Sequence, residues 1–81
     1  MQIAKQEEIY QLLAKVNTQI DPAELKPDQP LSDFGYESLD KIGVLMELEK
    51  QYSLSIPDTD SPKLSSVENI ISYLNGRLSN T

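Results

Sequence analysis

Ser38 is the residue of this chain whose type and position could carry chemistry, and the groups able to assist it are few. It follows Gly35 and precedes an apolar-periodic segment, and Lys41 stands at the S-x-x-K spacing used by some serine hydrolases. The sequence contains no His and no Cys, which excludes Ser-His-Asp triads, Cys nucleophiles and zinc sites with nitrogen or sulfur ligands. We therefore predict no catalytic residue and no metal site.

The hydrolase interpretation of Ser38 and Lys41 fails on three grounds. The companion motifs of that class are missing, and 81 residues are too few for its fold. Asp40 lies beside Lys41, and an adjacent carboxylate favours the charged form of a lysine, which is no base. The sequence thus predicts that the protein is not an enzyme.

Two interpretations of Ser38 remain open from the residues alone. In the first, Ser38 is the N-cap of the helix that follows, and its oxygen accepts a bond from a free backbone amide. In the second, another enzyme attaches a group to the exposed hydroxyl. A phosphodiester formed there would be stabilised by the free amides and the positive end of the helix dipole.

Periodic apolar residues predict three long helices and one short one. The long helices are expected at about 3–19, 38–52 and from 65 onward, with Ser65 and Glu68 at capping-box spacing, and a brief helix or turn at 58–62. A proline-rich loop, 21–37, joins the first two and is expected to be pinned by Leu25, Leu31 and Phe34. We predict one all-α domain, residues 1–81: a small four-helix bundle with a long first loop.

The second helix is expected to have a buried face and an exposed ridge. Helical spacing assigns to the buried face Ile42, Val44, Leu45, Leu48 and Tyr52. Leu39 and Met46 fall outside that face, flanked mainly by acids such as Asp40 and Glu47. This arrangement is typical of a partner-docking ridge, although the same two side chains could instead close the edge of the core.

Charge and hydropathy exclude several partners and locations. The net charge is -6, and residues 33–60 hold seven acids against Lys41 and Lys50. Such a field repels nucleic acid and complements basic protein surfaces, although acids can also serve only as a solvated face. No signal peptide or membrane span is recognisable, so a cytoplasmic location is expected. A monomer is the simplest expectation for the oligomeric state.

The segment Gly35-Tyr36-Glu37-Ser38-Leu39 resembles the Gly-x-Asp-Ser-Leu motif of the acyl carrier protein family. The resemblance extends over nearly the whole chain. It includes the loop that begins at Asp21-Pro22, the anchors Leu31 and Phe34, the helix to Tyr52, the segment Ile56-Pro57-Asp58 and the last helix at 67–74.

The resemblance implies that a phosphopantetheinyl transferase uses coenzyme A to attach phosphopantetheine to Ser38, and that the arm holds acyl groups as thioesters. It also implies docking to basic patches of acyl-activating, ketosynthase or acyltransferase-type enzymes through Glu37, Leu39, Asp40, Met46 and Glu47. The residues expected to line the acyl chain are Ile42, Val44, Leu45, Leu48, Ile56, Ile70 and Ile71.

Several residues depart from the family pattern. Glu37 replaces the usual Asp before the serine, Gly43 stands where fatty-acid carriers commonly have an acid, and Lys41 and Lys50 add positive charge to the helix. These departures favour a discrete carrier of a specialised pathway, in polyketide, modified fatty acid or aminoacyl metabolism. The alternatives are a peptidyl or aminoacyl carrier of nonribosomal peptide assembly, which usually has a Gly-Gly-x-Ser type motif, and an unmodified acidic helical docking module.

Overall fold

Three α-helices and three 3-10 segments account for the regular structure of residues 4–79, the part of the chain that the computed structural model describes. The α-helices are α1 (Gln6–Val16), α2 (Ser38–Tyr52) and α3 (Val67–Ser79). The 3-10 segments are Pro22–Glu24, Leu31–Phe34 and Asp58–Leu64. No strand occurs within 4–79. The prediction of an all-α, small four-helix arrangement is confirmed, with Asp58–Leu64 as the short helix.

Helix α1 buries Ile9, Leu12 and Leu13, as its apolar spacing predicts. It ends at Val16, earlier than expected, and Asn17 has extended backbone angles. The Asn17 side chain accepts a hydrogen bond from the backbone N–H of Gln19 at 3.1 Å, a local bond that competes with helix continuation. The start expected at residue 3 lies outside the described residues.

The long first loop is packed against the core and bonded to the start of α3. Leu25 and Leu31 are buried and Phe34 is half-buried, which confirms the predicted anchors. The backbone N–H of Leu31 donates to the carbonyl of Ser65 at 2.7 Å, and that of Glu68 donates to the carbonyl of Pro27 at 2.9 Å. The loop therefore has a defined path to the residues that precede α2.

Helix α2 has the predicted bounds, but the prediction of its buried face is wrong at one residue. Val44, Leu48 and Tyr52 are buried and Leu45 is half-buried, whereas Ile42 is 52% exposed. Ile42 lies three residues after Leu39 and four before Met46, so it shares the exposed face of these two residues. The neighbouring segments leave that face uncovered.

Helix α3 begins one residue later than its capping pattern suggests. Ser66, not Ser65, caps it: the Ser66 hydroxyl accepts from the backbone N–H of Asn69 at 3.1 Å. The apolar stripe is as predicted, with Val67, Ile70 and Leu74 fully buried and Ile71 and Leu78 half-buried.

A polar cluster joins α3 to the segment Asp58–Leu64. The Tyr73 hydroxyl donates to Asp60 Oδ2 at 2.6 Å, and Arg77 Nη1 donates to the Tyr73 oxygen at 2.7 Å. Lys63 Nζ lies 3.5 Å from Asp60 Oδ1. The Tyr73 hydrogen bond, followed by the attraction of Lys63, lowers the pKa of Asp60 below its ordinary value of 3.8.

Tyr73→Phe is expected to reduce stability at neutral pH and to have less effect in acid. A carboxyl group whose pKa is lowered by folding stabilises the native state above its unfolded pKa, and this contribution is lost as pH falls through the folded pKa. The wild-type advantage should therefore shrink as pH drops below 3.8. Urea unfolding of both proteins across pH 2.5 to 7, roughly the acid limb of stability, measures this. A pH-independent difference would exclude Asp60 as the cause.

Candidate functional site

A left-handed glycine reverses the chain just before α2. Gly35 closes the segment Leu31–Phe34 with φ of 103°, a conformation that glycine adopts without the steric cost of a Cβ atom. The next backbone N–H, that of Tyr36, donates to the carbonyl of Leu31 at 3.3 Å. This turn directs the following residues back over the core.

Tyr36 anchors the turn to α1. Its side chain is buried, and its hydroxyl donates to the carbonyl of Leu13 at 2.9 Å. Burial, followed by the nearby charge of Asp40, raises the pKa of the phenol, which stays a neutral donor. In the motif, Tyr36 occupies a variable position. An aromatic residue next to a turn glycine is the signal that indicates an anchor there.

Ser38 is the first residue of α2 and is exposed. Glu37 is the N-cap residue, and its backbone N–H donates to Asp40 Oδ2 at 2.9 Å. The interpretation of Ser38 as the N-cap is therefore wrong, because the chain enters the helix one residue earlier. Within residues 4–79 the Ser38 hydroxyl has no hydrogen-bond partner. The first backbone N–H groups of α2 have no backbone carbonyl to donate to, as at the start of any helix.

All three acids of α2 are bonded within the chain. Asp40 Oδ2 also accepts from Asn17 Nδ2 at 3.2 Å. Glu47 Oε2 pairs with Lys15 Nζ at 3.3 Å, and Glu49 Oε2 accepts from the backbone N–H of Ile56 at 2.9 Å. Each carboxylate therefore has a partner on another segment, and Glu47, paired with the exposed Lys15, is itself 28% exposed. Docking through Asp40 and Glu47 stays a prediction.

The exposed face of α2 is apolar. Leu39, Ile42 and Met46, which we call the α2 ridge, are 81%, 52% and 64% exposed. Gly43 flanks the ridge on the side of α1, where a Cβ atom would lie 3.2 Å from Val16 Cγ1. A side chain at position 43 would therefore require Val16 to shift by a few tenths of an ångström, a tight contact that glycine avoids.

A cavity of about 290 Å³ lies beside the same helix. Its lining residues come from the loop, α2 and the segment around Asp58–Leu64: Leu31, Lys41, Val44, Leu45, Ser61, Pro62, Leu64 and Ser65. Of the residues expected to line an acyl chain, Val44 and Leu45 belong to this cavity. Leu48, Ile56 and Ile70 are buried elsewhere in the core, Ile71 is half-buried, and the exposed Ile42 is not among the lining residues.

The described residues contain neither a metal-binding cluster nor a membrane-spanning helix. Within 4–79, no cluster of three or more acidic side chains is arranged to hold a metal ion. None of the helices in this range combines the length and apolar character needed to cross a membrane.

The chain is similar to carrier proteins in sequence. The family model described as "Phosphopantetheine attachment site" matches residues 7–74. The acyl carrier protein of Chlorobium phaeobacteroides is 33% identical over 69 residues, which cover 84% of this chain and 87% of the relative. That of Bdellovibrio bacteriovorus is 38% identical over 56 residues, or 68% of this chain and 72% of the relative.

Solved structures of carrier proteins share the fold. A free-standing peptidyl carrier protein from a secondary metabolic pathway of Acinetobacter baumannii superposes with a TM-score of 0.77 at 25% identity, covering 90% of both chains. The butyryl form of the carrier from the actinorhodin polyketide synthase of Streptomyces coelicolor gives a TM-score of 0.81 at 22% identity, covering 98% of this chain and 95% of that one.

The resemblance predicted from the sequence is therefore confirmed by a family model that spans most of the chain and by relatives above 30% identity. Members of such a carrier family are not themselves catalytic; they act with biosynthetic enzymes. The chain belongs to the acyl carrier protein family, with the role of carrying acyl groups on a phosphopantetheine prosthetic group.

Proposed function

We propose that Ser38 is the residue to which the phosphopantetheine is attached, and that residues 1–81 act as one carrier domain. The observation that carries the proposal is the exposed, unbonded hydroxyl at the first position of α2, inside the motif Gly35 to Leu39. The residues present fit the group. The first amides of α2 favour a phosphodiester, and the nearby carboxylate of Asp40 is engaged by Glu37 and Asn17.

The chain's own contribution is to expose Ser38 to other enzymes; it supplies no catalytic group. Gly35 reverses the backbone and Tyr36 ties the turn to α1, which leaves Ser38 exposed at the start of α2. When bound, the prosthetic group supplies a thiol that holds acyl groups as thioesters. This protein has no cysteine of its own that would compete for them.

The proposed partners are a phosphopantetheinyl transferase and acyl-activating, ketosynthase or acyltransferase-type enzymes. An enzyme that acts on Ser38 must cover the next residue, Leu39, and the α2 ridge continues from there along the helix. We assign docking to Leu39, Ile42 and Met46, with the exposed Glu37 at its edge. Asp40 and Glu47 are assigned to internal contacts because both are already bonded within the chain.

The proposed pathway is a specialised one. Lys41 and Lys50 are exposed and form no ion pair within residues 4–79, which makes the surface of α2 less acidic. A peptidyl carrier role is the second candidate, supported by the similarity to the Acinetobacter carrier at 25% identity. The two candidates differ in the acyl-activating enzyme that loads the arm.

The cytoplasmic location and the monomeric state stay predictions.

The test is the intact mass of the protein after incubation with coenzyme A and a broad-specificity phosphopantetheinyl transferase. We expect a gain of a single phosphopantetheine, and fragmentation of the modified peptide should locate it on Ser38. A group found on another exposed serine, such as Ser32 or Ser55, would contradict the assignment. An unchanged mass would favour the unmodified docking module.

A further inference from the structure

The cavity beside α2 lies on the same side of the helix as Ser38. Lys41 and Leu45, which both line it, follow Ser38 by three and seven residues, the spacing of one helix face. At about 1.5 Å of rise per residue, Lys41 is a single turn from Ser38 along the helix axis. A flexible arm attached at Ser38 can therefore fold back to the mouth of this cavity.

The cavity combines an apolar floor with a rim of hydrogen-bond donors. The floor consists of Leu31, Val44, Leu45 and Leu64 together with Pro62. The polar lining residues, which we call the rim, are Lys41, Ser61 and Ser65. No carboxylate is among these lining residues.

The rim donors are available to a ligand. The Ser65 oxygen already accepts from Asn69 Nδ2 at 3.0 Å, which leaves its own O–H free to donate. Lys41 has no ion pair within residues 4–79. The carboxylate next to Ser61, that of Asp60, is held by Tyr73 and Lys63. No carboxylate on the cavity wall therefore competes for Lys41.

We propose that this cavity binds a short acyl group that bears an oxygen acceptor, a carboxylate or a carbonyl, with Lys41 as its principal donor. The inference rests on the proposed function, since the arm on Ser38 would deliver the group. A plain alkyl chain would strip water from Lys41, Ser61 and Ser65 without replacing their hydrogen bonds, which opposes its binding. The volume of about 290 Å³ lies at the lower end for small-molecule sites, which favours a short group.

The test uses free ligands, so it does not depend on attachment. Amide-linked glutaryl-, levulinyl- and pentanoyl-pantetheine have acyl groups of equal chain length that end in a carboxylate, a methyl ketone and an alkyl group. Each is titrated into the full-length Ser38→Ala variant while the NMR signals of the Leu31, Val44, Leu45 and Leu64 methyl groups are followed. We expect the glutaryl ligand to bind most tightly, the levulinyl ligand next and the pentanoyl ligand most weakly. Equal affinities, or no shift of these methyl groups with any ligand, would overturn the proposal.

Two matched lysine variants test whether Lys41 is the donor that binds the acyl group. Lys41→Met, in the same background, is expected to weaken glutaryl binding about tenfold, the effect of losing one charge-assisted hydrogen bond. The same variant should strengthen pentanoyl binding, because no ammonium group then has to lose its water to the alkyl chain. Lys50→Met lies on the same helix outside the cavity and should change glutaryl binding less than about twofold. Equal losses in the two variants would mean that only the net charge matters. Because Ser38 is absent throughout, a failure here is separate from a failure of the attachment assignment.

Discussion

Ser38→Ala is expected to abolish the addition of phosphopantetheine completely while the free energy of unfolding stays within about 0.5 kcal/mol of the wild type. The loss is complete because the hydroxyl is the atom that forms the phosphodiester. Stability is preserved because Glu37 is the N-cap, and its N–H bonds to Asp40 in the variant as in the wild type. Intact mass and urea unfolding measure the two effects.

Ser32→Ala is the matched control, since Ser32 is an exposed serine in the segment that leads to the same turn. The Ser32→Ala variant should be modified on Ser38 at the wild-type rate. A destabilisation of about 1 kcal/mol in Ser38→Ala would be the cost of losing a helix cap and would contradict the assignment of Glu37 to that position.

Removing the apolar character of the α2 ridge is expected to slow modification of Ser38 strongly without unfolding the protein. Leu39→Gln and Met46→Gln should each lower the kcat/KM of the transferase about tenfold or more, the scale of an interface hot spot. Both side chains are largely exposed, so their loss removes little from the core. Glutamine keeps the charge unchanged and favours the helix, which confines the effect to apolar contact.

Glu47→Gln is the charge control for the ridge. Its carboxylate pairs with Lys15 and is only 28% exposed, so its removal should lower kcat/KM less than about threefold. For the same reason, the wild-type rate should respond weakly to ionic strength between low and physiological salt. If kcat/KM fell steeply with salt and stayed unchanged in Leu39→Gln and Met46→Gln, the acidic residues and not the α2 ridge would mediate docking.

Much of the local structure of this chain was predictable from its sequence. The bounds of α2, the turn at Gly35 and the anchors Leu25 and Leu31 follow from periodicity, from turn chemistry and from apolar residues in a proline-rich loop. The motif around Ser38 likewise identified the family. Each of these signals is contained in a few adjacent residues, which is why no tertiary information was needed.

The errors concern features that depend on neighbouring segments. Helical spacing assigned Ile42 to the buried face, but α1 and the loop cover a narrower arc of α2 than that spacing suggested. The choice of Ser66 over Ser65 as the cap of α3 accompanies the bond between Leu31 and the Ser65 carbonyl, a contact between residues far apart in sequence.

The sequence by itself determined the helices, the exposed serine motif and the net charge of -6. Only the tertiary structure decided which charges remain free, since Asp40, Glu47 and Glu49 each find a partner on another segment. It likewise decided the shape of the cavity, where the loop, α2 and Asp58–Leu64 meet. The physical reason is that propensity and periodicity act over a single helical turn, whereas ion pairing, exposure and cavities are set by the distances between segments after they pack.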